Sequence, residues 1–297
     1  MSLRDLSIIF LICLIWAGHT VVSKVVVSGM EIPPLFYAVL RYGCVCLFVF
    51  PWLFPLPRPM WRMVVISLLM GALGFSLFFA GIKTATPSAA AVVLQIGIPL
   101  TTILSVLVLG EVIRWRRRVG IVLTFAGVMI VMWNPAGFIP SAGLLMVAGS
   151  GICGAFGVIL MKQMVSVRPM QFQAWGAFLS LPPMMLMTWW FEKDQIPQAI
   201  QQGWAFAAAL AFSVIVVSLL SHNLYFRQLQ KHDANLLAPL MLLNPLIAIL
   251  LGIWITDDPF DLRMAIGAGI ALLGVLIISM RPNSKVRMTS LQTHQNP

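Results

Sequence analysis

The stretch from Ser88 to Glu111, SAAAVVLQIGIPLTTILSVLVLGE, most constrains what this chain can become. It is apolar for about 22 residues, the length at which one α-helix crosses a bilayer. Within it sit one amide (Gln95), one proline at mid-depth (Pro99), two threonines and a closing Gly110-Glu111. An arginine-rich loop, RWRRR, follows. A similar segment returns later as ANLLAPLMLLNPLIAILLGIWITDD. There Pro245 precedes Asp257 by the same twelve residues that separate Pro99 from Glu111. One pattern written twice in a membrane chain is the mark of an internal structural repeat.

Composition excludes a soluble domain. A chain of 297 residues with 60% hydrophobic and 9% charged side chains cannot solvate itself in water. The net charge of +10 would suggest nucleic acid for a soluble protein. Here the basic residues stand between apolar runs, so the expected partners are the lipid bilayer and a small-molecule substrate, with no nucleic acid. Cys13, Cys44, Cys46 and Cys153 all fall inside apolar runs without zinc-like spacing, so they read as packing residues. No metal and no cofactor is expected. The first apolar run is too long for a signal-peptide core and no small-residue cleavage site follows it, so it is expected to remain as a span.

Apolar periodicity gives spans at roughly 6–27, 34–56, 62–82, 88–110, 117–134, 141–161, 170–190, 203–228, 235–255 and 262–281. With the N-terminus inside, the inner segments hold Arg4, Arg58, Arg62, Arg114, Arg116, Arg117, Arg118, Lys162, Arg168, Arg227, Lys231, Arg281, Lys285 and Arg287. Only Lys24, Lys83, Lys193 and Arg263 fall outside, and Arg41 lies within a span. The positive-inside rule then puts both termini in the cytoplasm. Two halves of five spans each must insert in opposite senses, and Gly120 and Gly127 in span five match Gly267 and Gly274 in span ten. The expected fold is an all-α integral membrane protein of ten transmembrane helices arranged as two inverted five-helix repeats. Their bounds are 1–137 and 138–282, and a disordered cytoplasmic tail follows at 283–297. Inverted repeats put a substrate site near the midplane, where the halves meet.

Polar stripes mark the candidate site, because a polar face on a spanning helix must meet protein or water. Span one places Trp16, His19, Thr20 and Ser23 on one helical face, and span eight does the same with Ser218, Ser221, His222 and Tyr225. Span four aligns Ser88, Gln95, Pro99 and Thr102, and span nine offers Met241 and Asn244 before Pro245. The cavity candidates are Trp16, His19, Thr20, Gln95, Ser218, Ser221, His222, Tyr225 and Asn244. For the serines and threonines, interhelical bonding is the competing use; for Tyr225 it is interfacial anchoring. Pro99 and Pro245 are candidate hinges that free the carbonyls of Gln95 and Met241, with a packing kink as the alternative. Arg41 reads as a structural charge, bonded to carbonyls or to Glu31, ahead of a substrate contact. Glu111 reads as a structural charge at the inner face, in a helix-end or intersubunit salt bridge, which leaves a homodimer open. No carboxylate sits at mid-membrane and none of the favoured cavity residues is a fixed charge, so the expected site works by amide, imidazole and indole donors.

The chain resembles the EamA-type branch of the drug/metabolite transporter superfamily. The resemblance rests on Trp16-Ala17-Gly18, Arg41-Tyr42, Pro87-Ser88-Ala89-Ala90, Pro99 with Leu109-Gly110-Glu111, and Gly120 with Gly127. It continues in Leu237-Ala238-Pro239-Leu240 and Pro245. Thr256-Asp257-Asp258 departs from the Gly-Glu that often closes span nine. The resemblance implies ten helices, a central cavity lined mainly by spans 1, 3, 4, 6, 8 and 9, and export of small metabolites. The stretch from Tyr225 to Pro245 is similar to exporters of the cysteine and acetylserine type. The expected function is secondary export of small polar or zwitterionic metabolites, such as amino acids, across a cell inner membrane. An intramembrane enzyme would have to rely on His19 and His222, since no paired nucleophile or facing carboxylates occur. A non-transporting interaction protein would not need matched prolines and polar stripes.

Overall fold

A computed structural model describes residues 2–110, 113–133, 141–164, 167–232, 237 and 239–280. Among these, the regular structure is helical throughout, without strands. The helices are α1 (Leu3–Gly29), α2 (Pro34–Leu53), α3 (Met60–Thr84), α4 (Pro87–Leu109), α5 (Trp115–Met132), α6 (Ala142–Lys162), α7 (Pro169–Phe191), α8 (Gln195–Tyr225), α9 (Leu243–Ile255) and α10 (Leu262–Ser279). Seven of them (α1, α2, α3, α4, α6, α8 and α10) are long and apolar enough to cross a membrane. The fold is that of an integral membrane protein. Glu111, the loop around Asn134 and the tail from residue 281 lie outside the described residues.

Local chemistry sets the helix starts. Ser2 and Asp5 form a reciprocal capping box at α1, Thr86 accepts from Ala89 N at 3.3 Å to open α4, and Asp261 accepts from Met264 N at 2.7 Å to open α10. The carboxylate of Glu192, just past α7, accepts from Leu35 N and Phe36 N at 2.8 Å each and so caps α2 from another element. At the other end, α4 stops where Gly110 turns left-handed at φ +66°. The helix at α8 begins earlier than the expected span at 203. Its backbone breaks at Gly203 (φ 52°, ψ −128°), a conformation open to glycine, so residues 195–202 form a separate piece.

Packing pairs helices at corresponding places in the two halves of the chain. α5 lies along α10, α2 along α7, and α4 along α9. The α5–α10 seam is built from glycines. A Cβ on Gly127 would sit 2.5 Å from Gly267 O, and one on Gly274 would sit 2.6 Å from Gly120 O. Small residues let the backbones touch, which is how helices associate without a hydrophobic driving force between them.

The helices are not regular throughout. α3 contains a π-helical stretch at Ser67–Phe75 and α8 another at Phe212–Ser221. In α4 a 3₁₀ turn, Leu94–Ile96, precedes Pro99. Before Pro245 the chain also tightens, with Leu242 N bonded to Pro239 O and Asn244 N to Met241 O. The carbonyl of Met241 is therefore not free, as a straight helix ahead of Pro245 would have left it. The tighter turn gives it a donor three residues on rather than four.

Candidate functional site

A cavity of about 960 Å³ lies between the helices. α1 contributes Trp16, His19 and Thr20; α8 contributes His222 and Val217; Asn244 comes from α9. Met70, Phe75 and Phe78 on α3 form an apolar wall, and α4 and α6 supply Thr101, Thr102, Ser105, Ser150 and backbone at Gly97, Gly151 and Gly154. At one end the lining reaches Arg117, Lys162 and Ser279, close to the ends of α5, α6 and α10 that flank the arginine-rich loop. Hydrogen bonds tie helix ends together elsewhere. Lys24 Nζ and Ser28 Oγ both donate to Lys83 O, at 2.9 and 2.7 Å, and Asp258 accepts from Ser88 N at 2.8 Å.

The structure brings five predicted cavity residues together in the lining: Trp16, His19, Thr20, His222 and Asn244. The stripe on α1 puts three of them there because positions i, i+3 and i+4 share a helix face. Asn244 offers a carbonyl oxygen, Oδ1, that is buried and without a hydrogen-bond partner. The remaining candidates sit elsewhere. Gln95 lies in the 3₁₀ turn, which rotates it off the α4 face, and Leu94, Gly97 and Ile98 line the cavity instead. Ser221 is fully buried, accepting from Trp16 Nε1 at 2.7 Å. It holds the indole in place rather than meeting the cavity. Tyr225 stacks at 5.2 Å from the Trp16 ring, outside the lining. Ser218 faces a smaller adjoining cavity of about 190 Å³. The π-helical stretch displaces these residues from the face a regular α8 would have presented.

Arg41 departs most from expectation. It does not bond Glu31, whose place near α2 is taken by Glu192. Arg41 is 4% exposed and lines the main cavity. Nε and Nη2 donate to Ser218 Oγ at 3.2 and 3.1 Å, and Nη1 to His19 Nε2 at 3.2 Å. The Phe75 ring faces its Cζ at 5.2 Å, a cation–π distance. Among the described residues no carboxylate pairs with it. The site therefore does contain a fixed charge, and none of its lining residues is acidic.

These contacts also assign the imidazoles. A guanidinium only donates, so His19 Nε2 accepts and its proton sits on Nδ1. In His222, Nδ1 lies 2.8 Å from Val217 O, which only accepts, so Nδ1 carries the proton. The His19 ring is therefore neutral in this arrangement, and among the described residues neither ring is hydrogen-bonded to a carboxylate. Groups of three or more His, Cys, Asp or Glu able to hold a metal do not occur among the described residues.

The apolar helices and the cavity they enclose define a multi-pass membrane protein built around a solute-sized chamber. The sequence profile described as the EamA-like transporter family matches residues 4–133 and again residues 141–280. The chain belongs to that family. It is 28% identical over 290 residues to a probable amino-acid metabolite efflux pump of Salmonella typhimurium, covering 91% of this chain and 94% of that protein. It is 24% identical over 292 residues to a protein of the same description in Escherichia coli, covering 93% and 95%. A solved crystal structure shares the fold, with a TM-score of 0.62 at 17% identity over 93% of this chain and 96% of that one.

Proposed function

We propose that this chain is a secondary transporter of an inner membrane that exports small polar or zwitterionic metabolites, amino acids and related compounds, from the cytoplasm. Ten spanning helices form two inverted halves, 1–137 and 138–282, which rock about the cavity, with both termini cytoplasmic. The observation that carries the reading is the cavity itself. At about 960 Å³ it is solute-sized, and its polar groups come from both halves: Trp16, His19 and Thr20 from one, His222 and Asn244 from the other. Two further observations support paired halves. The π-helical stretches fall at matching places in α3 and α8, and the tightened turns precede Pro99 and Pro245. Discontinuous helices at a repeat interface are the usual site of solute binding in such folds. The efflux-pump descriptions of the two bacterial relatives support the direction and the solute class.

In this reading the described arrangement is open toward the arginine-rich loop and closed at Lys24, Ser28 and Lys83. Export requires the opposite ends to exchange these states. Proton coupling, where it exists, falls to His222, whose Nε2 remains available, since His19 Nε2 is engaged by Arg41. The test is efflux of a panel of labelled amino acids from proteoliposomes, with and without a pH gradient, on wild type, His19→Ala and His222→Ala. Wild type should release at least one amino acid faster than empty liposomes. Release of none would defeat the reading, and gradient-driven transport surviving both substitutions would remove the histidines from coupling.

A further inference from the structure

The geometry points to Arg41 as the group that binds the solute's carboxylate, so that the transported species is selected as a carboxylic acid rather than as an amine. The inference rests on the exporter reading and names what its cavity recognises.

Arg41 is a buried cation at membrane depth with no acidic partner among the described residues, and such a charge is costly unless something compensates it. The protein compensates it only in part. A guanidinium has five N–H donors. Ser218 Oγ takes two of them and His19 Nε2 takes a third. One N–H remains on each of Nη1 and Nη2 as a donor that a carboxylate can take. The holding hydroxyl is itself aimed. Ser218 donates its own proton to Ser213 O at 2.9 Å, which turns its lone pairs to Arg41. Phe75 covers the guanidinium on one face. The charge is thus fixed in position, lines the cavity and has no counter-ion among the described residues.

The rest of the lining fits the same solute. Among the described residues no carboxylate lines the cavity to bind an ammonium group by charge. A neutral acceptor for an ammonium group exists in the unpartnered Oδ1 of Asn244. A purely structural arginine would turn its donors into backbone carbonyls or an acidic side chain. Arg41 instead spends three on one hydroxyl and one imidazole, and its side chain lines the cavity.

The experiment uses the amino acid released fastest by wild-type proteoliposomes. Its unlabelled form, its α-amide, its decarboxylated amine and inorganic phosphate are compared as competitors of the labelled solute. Thermal stabilisation of the purified protein by the same compounds reads binding without turnover. The acid should compete at least about tenfold better than the amide or amine, the scale of hydrogen bonds to a charged group. Phosphate should compete more weakly than the acid. In Arg41→Gln the acid should stabilise no better than the amide, Arg41→Lys should keep part of the preference, and Ser218→Ala should reduce it several-fold. Wild type that transports acid and amide equally would overturn the carboxylate role and leave the exporter reading standing. So would an acid preference that persists in Arg41→Gln. Competition by phosphate equal to the acid would replace it with a general anion site. Wild type that moves no amino acid would remove both readings.

Discussion

Gly127→Ala tests the glycine seam between α5 and α10 with one methyl group. The new Cβ would lie 2.5 Å from Gly267 O and 2.7 Å from Ala271 Cα. Both are backbone atoms on the facing helix and neither can rotate away. Restoring ordinary contact moves the helices apart by about 1 Å, and a gap of that size forfeits roughly a quarter to a half of each dispersion contact beside it. Gly120, Gly267 and Gly274 touch backbone along the same seam, so the loss spreads beyond one residue. Overpacking of this kind costs about 1–3 kcal/mol, and the better helix propensity of alanine offsets up to ~1. The expected net loss is about 1 kcal/mol. Gly269, on the same α10, has nothing within 4 Å of its Cβ position, so Gly269→Ala should gain up to ~1 kcal/mol from propensity alone. The two substitutions should therefore differ by about 2 kcal/mol in reversible unfolding of the purified protein in one detergent. A difference below about 0.5 kcal/mol, the scatter of neutral substitutions, would refute the close seam.

Glu192→Ala should lower stability by about 1–3 kcal/mol, because it removes the acceptor of two α2 backbone donors and of Thr188 Oγ1 at 2.6 Å; Glu192→Gln, which keeps one oxygen, should lose about half as much in the same unfolding measurement. Pro99→Ala and Pro245→Ala should each slow efflux in proteoliposomes while purified yield stays near wild type, since neighbouring turns already satisfy the backbone; normal efflux in both would make the prolines packing features. In a background free of the native cysteines, an impermeant thiol reagent added outside cells should label a cysteine placed at 193 and not one at 116, and the reverse pattern would invert the topology.

The helices were legible because a bilayer leaves a chain few options. Every backbone donor must be satisfied inside its own segment, so an apolar run of sufficient length is a helix wherever it occurs. The glycine spacing at Gly120, Gly127, Gly267 and Gly274 was legible for a similar reason, since close helix contact has one cheap solution. The start of α8 was less so. Residues 195–202 are helical in their own right and only the backbone at Gly203 separates them from the spanning part. Hydropathy reports where apolar residues lie and carries no signal for a φ value.

The cavity lining was anticipated in part, and the departures on α4 and α8 share a cause. A stripe argument assumes 3.6 residues per turn. On α1, regular from Leu3 to Lys24, it puts Trp16, His19 and Thr20 correctly on one face. On α8 the π-helical stretch Phe212–Ser221 changes the period within the stripe, and on α4 the 3₁₀ turn does so just before Pro99, so Ser221 and Gln95 leave the face assigned to them. Arg41 fails for a different reason. Its depth in the span was visible, but a deep arginine is equally consistent with a structural charge and with a binding group. What separates the two is whether its donors are used up. That depends on Ser218, 177 residues away in sequence, and on His19. Neither offers an anion. The charge that the bilayer makes costly has no carboxylate partner among the described residues, and in our proposal the solute supplies one.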